Sequence, residues 1–190
     1  MIWLTSLLLL CISTTLLWFN RPISEWSGAA AARFAAALIS AIYAVLAPWP
    51  NNALHSSQLL LEQLSLYAAL PLLLSVALAT HLGYDWSRMI WGRVLLAWCV
   101  VFELCRSNNV LDTLLLVLMV LGVGIFCLFW LQPKQQSRLR ALLLSCAWLI
   151  VTALTVTSAI SSSVLLLLCF LLLFIYSHTD NNAICRTNTW

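Results

Sequence analysis

Two arginines inside apolar segments are the first residues of this chain that could do chemistry. Arg33 and Arg93 each lie about one turn from the end of such a segment, at a depth of roughly 6–8 Å for a helical rise of ~1.5 Å per residue. Ionisable groups inside a membrane are costly and often functional. A long arginine side chain can also reach a lipid headgroup from that depth. Two interpretations stay open: contact with phospholipid headgroups, or a buried ion pair or anion site between two helices.

A second set of charged residues lies at the opposite ends of the apolar segments: Glu62, Glu103, Arg106 and Asp112. Glu103 and Arg106 are three residues apart, a spacing that lets two side chains of one helix pair directly. The set is either a solvated, self-neutralising rim, or a docking surface or cavity mouth. A lipid-modifying enzyme with Arg33 and Arg93 as the phosphate holder and Asp112 or Glu103 as the base is disfavoured, because about one membrane thickness would separate the two groups.

Histidine and cysteine give little support for a metal or haem site. His81 and His178 are predicted on the same side of the membrane, which permits a haem held by both, but each lies at a helix edge. The seven cysteines include no C-x-x-C pair, the spacing expected of a thiol oxidoreductase. The chain also carries no nucleophile-elbow, metalloprotease or phosphate-loop motif. We therefore predict no metal and no cofactor, and no motif argues for an enzyme.

The elements that must position these residues are membrane helices. The chain has 190 residues, of which 63% are hydrophobic and 8% are charged, whereas soluble domains carry about 25% charged residues. A membrane span needs about 20 mostly apolar residues. Six segments meet this requirement: Ile2–Trp18, Ala29–Leu46, Leu64–Thr80, Thr113–Leu131, Ala141–Thr157 and Ala159–Tyr176. The sequence therefore predicts an all-α, polytopic helical bundle.

The distribution of basic residues decides whether a seventh segment, Met89–Leu104, also spans. Basic residues favour cytoplasmic loops. With seven spans, only Arg106 of the nine lysines and arginines falls on the outer side, whereas with six spans the split is five to four. We therefore predict seven transmembrane helices, with six as the alternative, an outside N-terminus and a cytoplasmic C-terminus. Residues 1–177 form one bundle and residues 178–190 a short polar tail.

Small residues recur every four positions along the second predicted helix: Gly28, Ala32, Ala36, Ser40 and Ala44. Residues four apart share one helix face, and small side chains let another helix approach closely in lipid. We call this set the small-residue stripe. Its partner helix belongs either to this same bundle or to another subunit.

Aromatic residues and helix breakers mark the predicted helix ends and bends. Tryptophans near the ends of spans predict interfacial anchoring; they are Trp3, Trp18, Trp49, Trp86, Trp91 and Trp130. Trp148 lies near mid-helix, as does Trp98, and a buried indole N–H there needs a hydrogen-bond partner. Pro71 predicts a kink in the third helix. Ser57 is a plausible N-cap for that helix, and Gly83 is expected to end it.

The function predicted from these features is that of a non-catalytic membrane subunit. The spans carry no ionisable residue near mid-depth, where coupled transporters usually place their site, and the small-residue stripe could hold a partner. The alternative is a small transporter or substrate-binding component for an apolar or weakly polar solute. The expected partners are membrane lipids and other membrane subunits. Nine lysines and arginines, with a net charge of +3, are too few for a nucleic-acid-binding surface. The expected location is a bacterial inner membrane.

Overall fold

A computed structural model describes residues 2–20, 27–49, 55–84, 86–131, 138–156 and 161–187. This part of the chain contains helices and connecting turns but no strand, which confirms the all-α prediction. The helices are α1 (Ile2–Phe19), α2 (Gly28–Leu46), α3 (His55–Leu64), α4 (Leu70–Leu82), α5 (Arg88–Ser107), α6 (Leu111–Leu131), α7 (Arg138–Val156) and α8 (Ser162–Thr187). A π-helical turn, Ser65–Ala69, joins α3 and α4 into one continuous helix, so the described chain has seven helices.

Three of these helices are long and apolar enough to cross a membrane. They are Gly28–Leu46, His55–Leu82 and Leu111–Leu128. Shorter apolar helical stretches lie within α1, α7 and α8. The number of helices thus agrees with the sequence, while the crossing of a membrane by all seven stays a prediction.

The third helix begins at His55, three residues before the start that Ser57 as an N-cap implies, and it includes the predicted span Leu64–Thr80. Ser57 therefore lies inside α3, and its prediction as an N-cap is wrong. The side-chain amide of Gln58 donates hydrogen bonds to the carbonyls of Leu46 (2.8 Å) and Trp49 (2.6 Å). These bonds fasten the beginning of α3 to the end of α2.

The ends of α4 and α8 depart from the sequence in different ways. Gly83 ends α4 as expected, in a left-handed conformation (φ 77°) that lets its N–H bond to the carbonyls of Ala79 and Thr80. Glycine adopts this conformation without a Cβ penalty. By contrast, α8 continues to Thr187, so residues predicted as a polar tail extend the last helix.

The helix His55–Leu82 is the centre of the bundle. The buried share of its apolar span is 61%, compared with 39% for Gly28–Leu46 and 28% for Leu111–Leu128. It packs against α2, α5, α6 and α8, while α2 also contacts α1. The neighbouring helices therefore pack around this central helix.

The bend expected at Pro71 takes the form of the π turn. Proline lacks an amide N–H, and its ring crowds the carbonyl four residues earlier, which here belongs to Tyr67. The preceding turn is wider than an α-helical turn: the Leu70 amide bonds to the Ser65 carbonyl, five residues back. The wider turn accommodates the proline ring without breaking the helix. Such π turns are often found at functional sites.

The small-residue stripe packs inside this chain. All five of its residues are buried, and Gly28 lies so close to the Trp86 carbonyl and the Trp91 ring that a Cβ would overlap them. The opposite face of α2 exposes Leu38 and Val45. The stripe thus follows the first interpretation, packing within its own bundle, and its side chains are not available to another subunit.

Most of the described tryptophans near helix ends are exposed, as anchors should be. Trp3, Trp18 and Trp49 are all more than half exposed. The prediction of Trp91 as an interfacial anchor is wrong, because this residue is only 2% exposed. The absence of a side chain on Gly28 lets α2 approach α5 closely enough to bury that ring.

Candidate functional site

Polar contacts bring α2, α3 and α8 together at one end of the bundle. The Tyr43 hydroxyl at the end of α2 lies 3.0 Å from the Ser163 hydroxyl at the start of α8. The neighbouring Ser162 hydroxyl donates to the carboxylate of Glu62. We call this the Glu62 end of the bundle. It is the end at which the sequence placed its second charged set.

Tyr67 lies in the π turn beneath these groups. Tyr67 is 6% exposed. Its ring stacks on the ring of Phe102 of α5, with the centroids 6.0 Å apart. Within the described ranges its hydroxyl makes no hydrogen bond, and the hydroxyl oxygen is not fully buried. Tyr67 thus offers a polar atom that solvent can reach near the Glu62 end of the bundle.

The π turn changes the direction in which Tyr67 points relative to Glu62. In an α-helix, residues five apart point about 140° away from each other, at ~100° per residue. A π turn spreads each turn over more residues, so it reduces this angle and rotates Tyr67 toward the Glu62 face. Backbone geometry and Pro71 therefore contribute to the site together.

The four charged residues predicted at this end separate into two pairs with different chemistry. Glu103 and Arg106 form the expected ion pair, with 3.6 Å between guanidinium and carboxylate oxygen, and both side chains are exposed. Neither Glu62 nor Asp112 has a basic partner among the residues that the structure describes. One pair is self-neutralised, and the other two carboxylates have no described basic partner.

Arg33 and Arg93 lie toward the opposite end of the bundle. Gly28 of α2 contacts the backbone at Trp86 and Ser87, just before α5. Both helices run from this end toward the Glu62 end, so the two arginines lie at a similar level. Arg93 is exposed and Arg33 is partly buried. These positions are compatible with both interpretations from the sequence, lipid headgroup contact and an anion site.

The histidine hypothesis falls partly outside the described residues. His81 is partly buried in the last turn of α4, whereas the side chain of His178 lies outside the described part. Across the described ranges, no group of three or more histidine, cysteine, aspartate or glutamate residues could hold a metal ion. A haem held by His81 and His178 is therefore not tested by the described residues.

Sequence reasoning did not single out Tyr43, Tyr67, Ser162 or Ser163. A local signal for Tyr67 exists, because it stands five residues after Glu62 and four before Pro71. A proline at that spacing perturbs the carbonyl of Tyr67, which favours the widened turn. The hydroxyls at the start of α8 carry no comparable signal, since their role depends on which helices pack beside them.

Comparison with known proteins leaves the chemistry to be argued from the residues. The chain matches no protein-family model, no curated protein and no solved structure. Two carboxylates and a tyrosine hydroxyl offer hydrogen-bond acceptors near the same end of the bundle. Such a set is suited to holding a ligand that donates hydrogen bonds.

Proposed function

We propose that this chain is an integral membrane protein that recognises a small solute at its Glu62 end, as a transporter or a substrate-binding component. The observation that carries the proposal is that Glu62 and Asp112 form no ion pair with a described basic residue, while Glu103 at the same end is paired with Arg106. Carboxylates accept hydrogen bonds only. A solute that donates hydrogen bonds to these two carboxylates would satisfy them.

The proposed setting is a bacterial inner membrane crossed by seven helices, with the Glu62 end outside and the C-terminus in the cytoplasm. Three helices of sufficient length and apolarity support the membrane location. The asymmetric distribution of lysine and arginine supports the orientation. Exposed tryptophans also support the membrane location, since the Trp3 and Trp49 rings lie 6.4 Å apart where an interfacial belt is expected.

Native mass spectrometry of the protein purified in mild detergent tests the proposed function. The wild-type chain should carry a co-purified small molecule. The double variant Glu62→Gln/Asp112→Asn should lose it, because the substitutions remove both uncompensated charges and leave similar side-chain volumes. Glu103→Gln is the matched control, since Glu103 lies at the same end in an exposed ion pair, and it should retain the molecule. Phospholipid alone on the wild type, or equal retention by all three proteins, would overturn the proposal.

A second candidate, a non-catalytic subunit of a membrane complex, is favoured by the outward face of α5. This face exposes Arg93 together with Met89, Leu96 and Val100. A charge on a lipid-facing helix is costly, and the open space around Gly92 would let a partner helix approach closely.

Gentle purification from native membranes tests this second candidate. A stoichiometric partner should accompany the wild type and be lost from Gly92→Leu. Gly124→Leu serves as its control, because Gly124 of α6 is also surrounded by open space. A lone chain in the wild-type preparation would count against a subunit role.

A further inference from the structure

We propose that a phosphate group binds where the starts of α2 and α5 meet, and that the buried indole N–H of Trp91 donates a hydrogen bond to it. This place lies at the end of the bundle opposite to the Glu62 end, so the inference is independent of the solute proposed there. We call it the α2–α5 junction, and its residues are Ser27, Gly28, Trp86, Ser87 and Trp91.

The Trp91 indole has a hydrogen-bond donor that the described protein leaves unused. The residue is 2% exposed, and its Nε1 atom is buried with no hydrogen-bond partner among the residues that the structure describes. Buried polar groups are nearly always hydrogen-bonded to protein or to ordered water. Because an indole N–H can only donate, the group that completes this site must be an acceptor.

The N–H edge of the Trp91 ring faces the start of α2. Cδ1, the ring atom bonded to Nε1, lies 2.8 Å from the point where a Cβ atom on Gly28 would stand. The backbone carbonyl carbon of Ser87 lies 3.0 Å from the same point. The first residue of α2, the residue before α5 and the edge of the indole therefore meet in one place.

Two helix N-termini at the junction supply the positive field that favours an anion. The first amides of a helix have no partner within the helix, and the helix dipole adds partial positive charge there. Neither α2 nor α5 carries an acidic residue in its first turn. The Ser27 side chain accepts from the Ala30 amide in α2, whereas the Ser87 side chain makes no capping hydrogen bond in α5. The start of α5 can therefore bond to an external acceptor, a common mode of phosphate binding.

Arg88 is placed to add a positive charge to this junction. It is the first residue of α5 and is exposed. It precedes Trp91 by three residues, so the two side chains share one face of the helix. Arg93 is also exposed, but it follows Trp91 by two residues and points about 200° away from it, at ~100° per residue. Arg88, and not Arg93, is therefore the arginine expected to contact the ligand.

The local charge and the neighbouring aromatic rings favour a phosphate group as the anion. Residues 21–33 and 84–93 contain four arginines and two acids, so the sequence around the junction is net positive. The Tyr84 and Trp86 rings stack 6.3 Å apart, and both are exposed, as aromatic residues at the headgroup level of a membrane are. The several oxygens of one phosphate can accept from the indole, the first-turn amides and a guanidinium together.

Nuclear magnetic resonance of the indole N–H groups tests the proposal. The full-length chain, isotope-labelled at its indole nitrogens, is titrated in non-ionic detergent with sodium phosphate or with dioctanoyl phosphatidylglycerol, while sodium chloride keeps the ionic strength constant. The Trp91 signal, identified by its absence from Trp91→Phe, should shift saturably with a phosphate probe, and the signal of Trp98 should not. A shift with the lipid alone would identify a lipid headgroup as the source, and a shift with sodium phosphate would identify the free anion.

Two arginine variants keep the test decisive even if Trp91→Phe does not fold. In calorimetric titrations with the same probes, Arg88→Gln should weaken the affinity about threefold, as expected for the loss of an exposed charge contact. Arg93→Gln removes the same charge from the other face of α5 and should bind as the wild type does. Three results would overturn the proposal: no saturable binding of either phosphate probe, an equal response to dioctanoylglycerol, which lacks the phosphate, or equal affinities of the two arginine variants.

Discussion

The indole of Trp148 packs directly on Gly122, with no room between them for a Cβ atom. Its N–H donates to the carbonyl of Met119 at 3.1 Å, which supplies the partner that a buried mid-helix tryptophan needs. The ring also lies 5.2 Å from that of Phe126. This one side chain therefore joins α7 to α6 by both packing and a hydrogen bond.

Gly122→Ala is expected to lower the stability of the chain. The added methyl group would overlap the Trp148 ring, and overpacking of this kind typically costs ~1–3 kcal/mol. The Gly124→Ala variant, two residues away, provides the control because its Cβ would meet open space. Thermal unfolding in one detergent should show a lower midpoint for the first variant and an unchanged or higher midpoint for the second. Equal midpoints would contradict the close contact.

Ala36→Leu is expected to destabilise the bundle itself. Ala36 is completely buried, whereas Leu38 on the same helix is 45% exposed. The larger side chain at position 36 would force α2 away from its neighbours at a cost of ~1–3 kcal/mol, and Leu38→Phe should cost much less. Chemical or thermal unfolding of the isolated chain measures both. If Ala36→Leu unfolds as the wild type does, the small-residue stripe is not packed inside the chain.

The helical class and most helix positions follow from the sequence, because apolar segments of membrane length are long and strongly patterned. The bounds at Gly83 and Leu46 were predictable from turn chemistry and composition. The first turn of α3, before Ser57, was not, and no local pattern indicates that Gln58 bonds to the carbonyls of Leu46 and Trp49 across a loop. The burial of Trp91 was also missed, because it requires knowledge of which helix packs against Gly28.

The candidate site was predictable only in part. The spacing of Glu103 and Arg106 predicts their ion pair, and the ends of the spans predict that Glu62 and Asp112 share one side. The position of Tyr67 depends on the π turn, which Pro71 favours but does not by itself determine. No local pattern indicates that Ser162 donates to a residue one hundred positions away.

Cysteine labelling tests the proposed orientation. In a variant without its native cysteines, Val110→Cys places a thiol in the exposed turn between α5 and α6, and Tyr84→Cys places one at the other end of the bundle. A membrane-impermeant maleimide should label position 110 in intact cells and position 84 only after permeabilisation. The reverse pattern would mean that the Glu62 end faces the cytoplasm.

Arg106→Ala should change stability by less than about 1 kcal/mol. Its ion pair with Glu103 is long at 3.6 Å and both side chains are exposed, so water and salt screen the attraction. Thermal unfolding at low and high salt should show a small loss that vanishes as the salt concentration rises. A large, salt-independent loss would show that the pair is shielded from solvent.

Infrared difference spectroscopy tests most directly whether the two carboxylates and the tyrosine act on one ligand. The small molecule that co-purifies with the wild type is perfused over the membrane-reconstituted protein, and the spectrum without it is subtracted. The expected result is a change in the carboxylate stretching bands and in the tyrosine C–O band. The carboxylate change should shrink in Glu62→Gln, the tyrosine change should disappear in Tyr67→Phe, and neither should alter in Glu103→Gln. Difference bands that are absent from the wild type, or that persist unchanged in Glu62→Gln and Tyr67→Phe, would contradict the account.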